Sequence, residues 1–224
     1  AYTTYYYQYF FTMLVMMFVI YDMFAQRDNG MWSITYSCAN GRIMYAIKQT
    51  GVIVVTGTFT HTLIYWSTFI AAMLQRGGVR DLVNPVQTIE TFDKFTYPWS
   101  KIKYVTVLYL ISMVCIVALC ITIWGVFVMF RNRVYALVTM LIFAAVEQFI
   151  YSHIDIHSVW NGLHYINIIN IININATFSS YRNWGVGTYV FPVFSVVLFV
   201  HIICAGVIGY ICLLYTSPSP RDRG

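Results

Sequence analysis

Charged side chains are scarce in this chain. Only 9% of its 224 residues are Asp, Glu, Lys or Arg, whereas 59% are hydrophobic and the mean hydropathy is +0.68. A soluble domain normally carries about 25% charged residues, because its surface must be wetted. The composition therefore excludes a soluble globular protein and predicts an integral membrane protein. The net charge of +5 is spread along the chain and indicates no nucleic-acid site.

Motifs that carry covalent chemistry are also missing. The five cysteines form no Cys-x-x-Cys pair, and most of them lie in apolar runs, where cysteine behaves as a small hydrophobic residue. The sequence has no glycine-rich phosphate loop, no nucleophile elbow and no lysine in its last apolar run that could carry a Schiff base. These absences argue against a thiolate metal site and a rhodopsin-like photoreceptor. They predict that the chain itself performs no covalent chemistry.

Long apolar runs are what the sequence does contain. Each is close to the roughly 20 residues that a helix needs to cross a bilayer, and none alternates as a spanning strand would. We therefore predict an all-α, polytopic transmembrane bundle over residues 1–215, with about five spanning helices. The predicted helices cover residues 5–25, 51–74, 102–130, 134–152 and 187–215. Residues 216–224, TSPSPRDRG, differ in composition from all that precedes them and are predicted to be a non-native tail.

One carboxylate lies inside the fourth apolar run. Glu147 occurs in YALVTMLIFAAVEQFIYSHIDIH with no basic residue close in sequence. A charge near the middle of a bilayer costs about 2.5–3.5 kcal/mol on insertion scales, so such a residue normally faces the protein interior and has partners. Gln148 and Tyr151 could share hydrogen bonds with it. A proton relay, a lipid headgroup contact and a plain interhelical hydrogen bond all remain open.

The histidines offer two possible metal or haem arrangements. His153, His157 and His164 would share one helical face if the fourth helix continued that far, and His61 with His201 is the minimal bis-histidine haem pair. The alternative in each case is structural. Histidines near a membrane surface can face headgroups or another subunit, and a lone histidine in a helix commonly bonds to a neighbouring helix.

Several fragments, taken in order, resemble cytochrome c oxidase subunit III. FAAVEQFIYSHIDI is similar to the family's fifth-helix motif, and VGTYVFPVFSVVLFVHIICAGVIGYICLL is similar to the start of the next helix. VTVLYLISM and LIYWSTF resemble parts of the fourth and third helices. The residues that match the family's motifs are Arg27, Asp28, Trp66, Thr106, Leu110, Ser112, Ala145, Glu147, Gly187, Thr188, His201 and Gly206. The match covers the family's second to sixth helices.

This resemblance implies a helical bundle with a lipid-filled cleft, in the mitochondrial inner membrane. The chain would be a core, metal-free subunit of the terminal oxidase, complex IV of the respiratory chain, and would bind phospholipid. Haem a and copper would belong to the partner subunits, and the chain would support the catalytic subunit and its proton uptake. Glu147 and His201 would be interior supports. Residues 51–74 lack the buried Glu of the family's third helix, so the resemblance implies packing and lipid binding more strongly than a proton antenna.

Other functions fit the same sequence. One is an accessory structural subunit of another respiratory complex or of ATP synthase, which would also be rich in aromatic residues and without motifs. A second is a b-type cytochrome that uses His61 and His201. A third is a transporter with Glu147 as its ion-coupling group, although only Pro192 interrupts a predicted helix, whereas transporters often have several broken helices.

Overall fold

The computed structural model describes most of the long helices and parts of the connections. It covers residues 5–28, 41–75, 82–89, 97–130, 132–154, 183–186, 188–192 and 202–209, with the single positions 92, 95, 160, 163, 167, 169, 199, 200 and 211. Four long helices lie in these ranges: α1 (Tyr5–Asp28), α2 (Gly41–Gln75), α3 (Lys101–Met129) and α4 (Arg133–His153). The predicted helical bundle is therefore confirmed.

Three of the four helices are long and apolar enough to cross a membrane. These are α1 over Tyr7–Ala25, α3 and α4. The helix α2 contains the predicted span 51–74, but it begins earlier and is 35 residues long. It is not among the candidate membrane spans because its threonines and His61 lower its mean hydropathy. The chain is thus a membrane protein with three candidate spans among the described residues, fewer than the five predicted.

The predicted fifth helix is wrong at its start. Strand β1 (Asn183–Val186) pairs with β2 (Tyr189–Pro192) in an antiparallel hairpin in which Val186 is opposite Tyr189. Valine, tyrosine and phenylalanine favour strands, and Pro192 has no N–H to give to a helix. Among the positions described after the hairpin, residues 199–200, 202–209 and 211 are helical. The hairpin is a local exception to an otherwise helical fold.

The first three helices alternate in direction. Gln8, near the start of α1, donates to Thr68, near the end of α2, so these two helices run antiparallel. Trp124, near the end of α3, donates to Gln49, in the first third of α2. This pair is therefore antiparallel as well. Consequently α1 and α3 run parallel to each other.

Helix α4 packs against α1 in the opposite direction. At its start, the Arg133 guanidinium lies 4.6 Å from the ring centroid of Tyr21 in the second half of α1. Near its end, Glu147 lies close to Tyr9 in the first half of α1. In the most apolar 18-residue stretch of each helix, 56% of the residues of α3 but only 17% of those of α4 are buried, so α3 is central and α4 peripheral.

A compact loop leads into α3. Within it, Val86 N–H donates to Trp99 O at 2.9 Å and Lys101 N–H donates to Asn84 O at 3.0 Å, which closes residues 84–101 into a ring. The Gln87 amide donates to two further loop carbonyls, and Ser100 accepts from the first turn of α3 as its N-cap. This loop fixes where α3 starts.

Candidate functional site

Three almost fully buried polar side chains meet where α1, α2 and α3 touch. Thr12 on α1, His61 on α2 and Ser112 on α3 are 0%, 1% and 2% exposed, and apolar side chains surround them. The Nδ1 atom of His61 lies 3.3 Å from Thr12 Oγ1, and its Nε2 atom lies 2.9 Å from Ser112 Oγ. We call these three residues the histidine triad. The imidazole thus bridges three helices with one side chain.

Each hydroxyl of the histidine triad also bonds to its own helix. Thr12 Oγ1 donates to the carbonyl of Gln8 at 2.8 Å, and Ser112 Oγ donates to the carbonyl of Tyr109 at 2.8 Å. A side-chain hydrogen bond between helices in a membrane contributes about 0.6–2 kcal/mol. The histidine triad therefore stabilises the three-helix junction without a charged partner.

A group of aromatic rings covers one side of the histidine triad. The Tyr65 ring lies 6.0 Å from the His61 ring and 5.2 Å from the Tyr109 ring, measured between centroids. Tyr65 donates its hydroxyl to Val105 O at 2.7 Å, and the Tyr109 hydroxyl lies 3.0 Å from Thr62 Oγ1. A tyrosine packed in an apolar core is more stable when its hydroxyl has a hydrogen-bond partner, and both of these do.

A further interhelical hydrogen bond lies nearer the other end of α2 and α3. Trp124 Nε1 donates to Gln49 Oε1 at 3.1 Å, and the two residues are 2% and 5% exposed. The Gln49 amide nitrogen is buried with no hydrogen-bond partner among the described residues. This contact fixes the register of α2 on α3 at a second point, away from the histidine triad.

Glu147 lies at the edge of the bundle, in the last third of α4. It is only partly buried, and its backbone carbonyl accepts a hydrogen bond from the Asn167 side chain at 2.8 Å. The nearby Tyr9 is 3% exposed, and its hydroxyl has no hydrogen-bond partner among the described residues. The structure thus places Glu147 beside α1, between the core and the outer surface.

The remaining predicted site residues of α4 lie near Glu147. Gln148 and Tyr151 are partly buried on the same helix. His153 is exposed, stacks on Phe149 with centroids 4.6 Å apart, and has its Nδ1 2.6 Å from Ser152 Oγ. These neighbours are all local to the last turns of α4.

The predicted metal and haem arrangements can be followed only in part. His157, His164 and His201 lie outside the described residues. His61 has a hydroxyl at hydrogen-bonding distance from each ring nitrogen, an arrangement that favours a helix-bridging histidine over a haem ligand. Within the described ranges, no three or more His, Cys, Asp and Glu side chains form a group that could hold a metal ion.

Among the described residues, those that match the family's motifs do not form one site. Ser112 belongs to the histidine triad, and Trp66 packs with the aromatic rings beside it, 5.6 Å from Tyr109. The others are scattered: Thr106, Thr188 and Gly206 are exposed, Arg27 and Asp28 end α1 with side chains outside the described set, and Gly187 lies outside it altogether.

Sequence reasoning missed the α1 side of the site. Thr12 and Tyr9 received no role, although both fall on the stripe of α1 that is buried. That stripe recurs every three or four residues, at Tyr9, Thr12, Met13, Met16, Met17, Ile20 and Phe24. A threonine on such a stripe points at a neighbouring helix and can offer its hydroxyl to it, so the period of the stripe was the signal that pointed to Thr12.

Comparisons with known proteins add no relative. No protein-family model, no curated protein and no solved structure matches this chain.

Proposed function

We propose that this chain is a non-catalytic structural subunit of a membrane-embedded respiratory complex. The specific candidate is a relative of subunit III of the mitochondrial cytochrome c oxidase, in the inner membrane. One observation carries the proposal: three almost fully buried polar side chains bond to neighbouring helices. The polar atoms of Thr12, His61 and Ser112 form hydrogen bonds with one another and with helix carbonyls. Hydrogen bonds of this kind hold helices together, as expected of a structural subunit.

The outer surface of α4 supports a role beside lipid or other subunits. Most of its exposed side chains are large and apolar, and they run along its length: Val134, Tyr135, Val138, Leu141, Ile142, Val146 and Phe149. In a membrane such a surface faces acyl chains or another apolar helix at no cost in hydration. Under this proposal the chain binds phospholipid, while haem a and copper belong to partner subunits.

The test is the composition of the native complex. An affinity tag on this chain would be used to isolate the complex from membranes solubilised in a mild detergent. Its visible spectrum, subunit masses and co-purifying lipids would then be measured. We expect haem a absorbance and copper-containing subunits, with phospholipid retained. A complex with proton-pumping or ATP synthase subunits and no haem a would overturn the oxidase assignment and leave a scaffold of another complex.

The isolated chain provides a second, independent measurement. A structural subunit should be colourless after separation from its partners in denaturing detergent and refolding with added haem. If haem bound to the isolated chain in one-to-one proportion, with a Soret band that is lost in His201→Ala, the proposal would be contradicted. The chain would then be a b-type cytochrome. Ser67→Ala, a change at an exposed position of α2, is the matched control because the hydroxyl it removes bonds to the Ile64 carbonyl of its own helix.

A further inference from the structure

The exposed surface of α3 is confined to its first half. Four exposed residues there follow one another at intervals of one helical turn and form a continuous stripe: Ile102, Thr106, Leu110 and Val114. We call these four residues the α3 stripe. From Cys115 to Val128, all of which the structure describes, no residue is exposed, and Met129 is exposed again at the end of the helix. The α3 stripe therefore stops at the middle of α3.

Helical residues near the end of the chain cover part of the second half of α3. A Cβ added at Gly209 would lie 3.3 Å from Cγ2 of Ile121. Ala205, one turn before Gly209, is buried, and Ile208 packs against the core. The described residues 202–209 thus lie against α3 about two turns beyond Val114. The α3 stripe ends before this cover begins.

A lysine and two aromatic rings lie at the other end of the α3 stripe. Lys103 is exposed, and its ammonium lies 5.3 Å from the ring centroid of Trp99. The Trp99 ring stacks on Tyr97 with the centroids 5.4 Å apart. Tryptophan and tyrosine are enriched at the level of lipid headgroups, and lysine places its ammonium there while its stem contacts apolar surface. These residues therefore mark the membrane surface on α3.

The length of the α3 stripe matches one leaflet of a bilayer. Val114 comes eleven residues after Lys103, which is about 17 Å along a helix axis. The hydrocarbon core is about 30 Å thick, so one leaflet supplies about 15 Å. A spanning helix of a partner subunit would cross both leaflets, whereas a phospholipid occupies only one. An acyl chain therefore fits the α3 stripe better than a partner helix does.

Charge indicates which phospholipid suits this end of α3. Residues 76–103 contain five basic and three acidic side chains, an excess of positive charge. Thr106 donates its hydroxyl to the Ile102 carbonyl at 3.0 Å, so the α3 stripe offers an acyl chain no unsatisfied hydroxyl. We propose that the α3 stripe binds one anionic phospholipid. Its phosphate lies at the Lys103 ammonium, and one acyl chain follows the stripe to Val114.

Photocrosslinking lipids locate such an acyl chain. The tagged chain, with the subunits that co-purify with it, would be placed in phosphatidylcholine nanodiscs that contain a little phosphatidylglycerol with a diazirine at the end of one acyl chain. Mass spectrometry would identify the labelled residues after irradiation. We expect label on Leu110 and Val114, about fivefold more than from a phosphatidylcholine probe, since one lysine near an anionic surface contributes about 1 kcal/mol. A diazirine next to the acyl carbonyl should instead label Ile102 and Thr106.

Substitutions of one lysine test the headgroup contact. Lys103→Gln should lower the ratio of labelling by the two probes to about one, and Lys103→Arg, which keeps the charge, should preserve the ratio. Lys48→Gln is the matched control, because Lys48 is an exposed lysine near the start of α2, at the opposite end of the bundle. Equal labelling of the wild type by both probes would overturn the proposal, as would an unchanged ratio in Lys103→Gln.

The proposed function and this site can fail separately. The site rests on the proposed function only in that the chain binds phospholipid. Absence of label on the α3 stripe in the isolated complex would overturn the site and show that a partner subunit covers this surface, whatever haem the complex contains. A complex without haem a would overturn the oxidase assignment and leave the labelling ratio of the α3 stripe as expected.

Discussion

Adding one methyl group at Gly57 tests the closest approach between α1, α2 and α3. A Cβ at this position would overlap Cys120 Sγ on α3 and would lie 3.4 Å from Cε and 3.5 Å from Sδ of Met16 on α1. Cys120 is 0% exposed, so its sulfur has little room to turn away. Gly51, also in α2, would have nothing within 4 Å of an added Cβ and is the matched control.

The magnitude follows from two opposing terms. Alanine is favoured over glycine inside a helix by about 1 kcal/mol, and this term is shared by both substitutions. Overpacking a well-packed core costs about 1–3 kcal/mol, and this term applies only at Gly57. Gly51→Ala should therefore be neutral or stabilising. Gly57→Ala should have a free energy of unfolding lower than that of Gly51→Ala by about 1–3 kcal/mol.

The assay is the unfolding midpoint in detergent, followed by the helical circular dichroism signal. The double variant Gly57→Ala/Cys120→Ala removes the overlapping sulfur and should recover stability, with a coupling energy in the usual range of about 0.5–3 kcal/mol for contacting residues. Equal midpoints for Gly57→Ala and Gly51→Ala would refute the close packing of α2 on α3. Additive effects in the double variant would show that Cys120 is not the obstacle.

Three further predictions concern hydrogen bonds that hold the helices in place. Trp124→Phe should lower the free energy of unfolding by about 1–3 kcal/mol, because it leaves the buried Gln49 oxygen without its hydrogen-bond donor. The double variant with Gln49→Leu should lose less stability than the sum of the two single variants. Gln87→Ala removes the two hydrogen bonds from the Gln87 side chain that cross the 84–101 loop, so limited proteolysis should cleave this loop faster. Thr88→Val removes only a hydrogen bond within its own turn and should leave the cleavage rate unchanged. Asn132→Ala removes the N-cap of α4 and should lower the thermal midpoint by the equivalent of about 0.5–2 kcal/mol, and Asn132→Asp, which keeps the acceptor, should not.

The ends of the helices were predicted best where the composition of the chain changes sharply. The predicted helices 102–130 and 134–152 differ from α3 and α4 by about one residue at each end, because Pro98 and the RNR connection bound them. The start of α2 was placed too late, since residues 41–50 mix polar and apolar side chains while still forming a helix. The strand β2 was missed because a continuously apolar run is compatible with either a helix or a buried strand.

The arrangement of polar residues across helices was much harder to predict than the helices. Composition indicates that a buried polar residue needs a partner, but not which helix supplies it, since that depends on rotation and register. Glu147 attracted attention because its charge is costly in lipid. Yet it lies six residues from the end of α4, about 9 Å along the axis, where the cost of a charge is smaller. His61 carries no charge when neutral and looked ordinary in sequence. It nevertheless joins three helices, because a neutral ring with two polar atoms can meet hydroxyls on two sides at once.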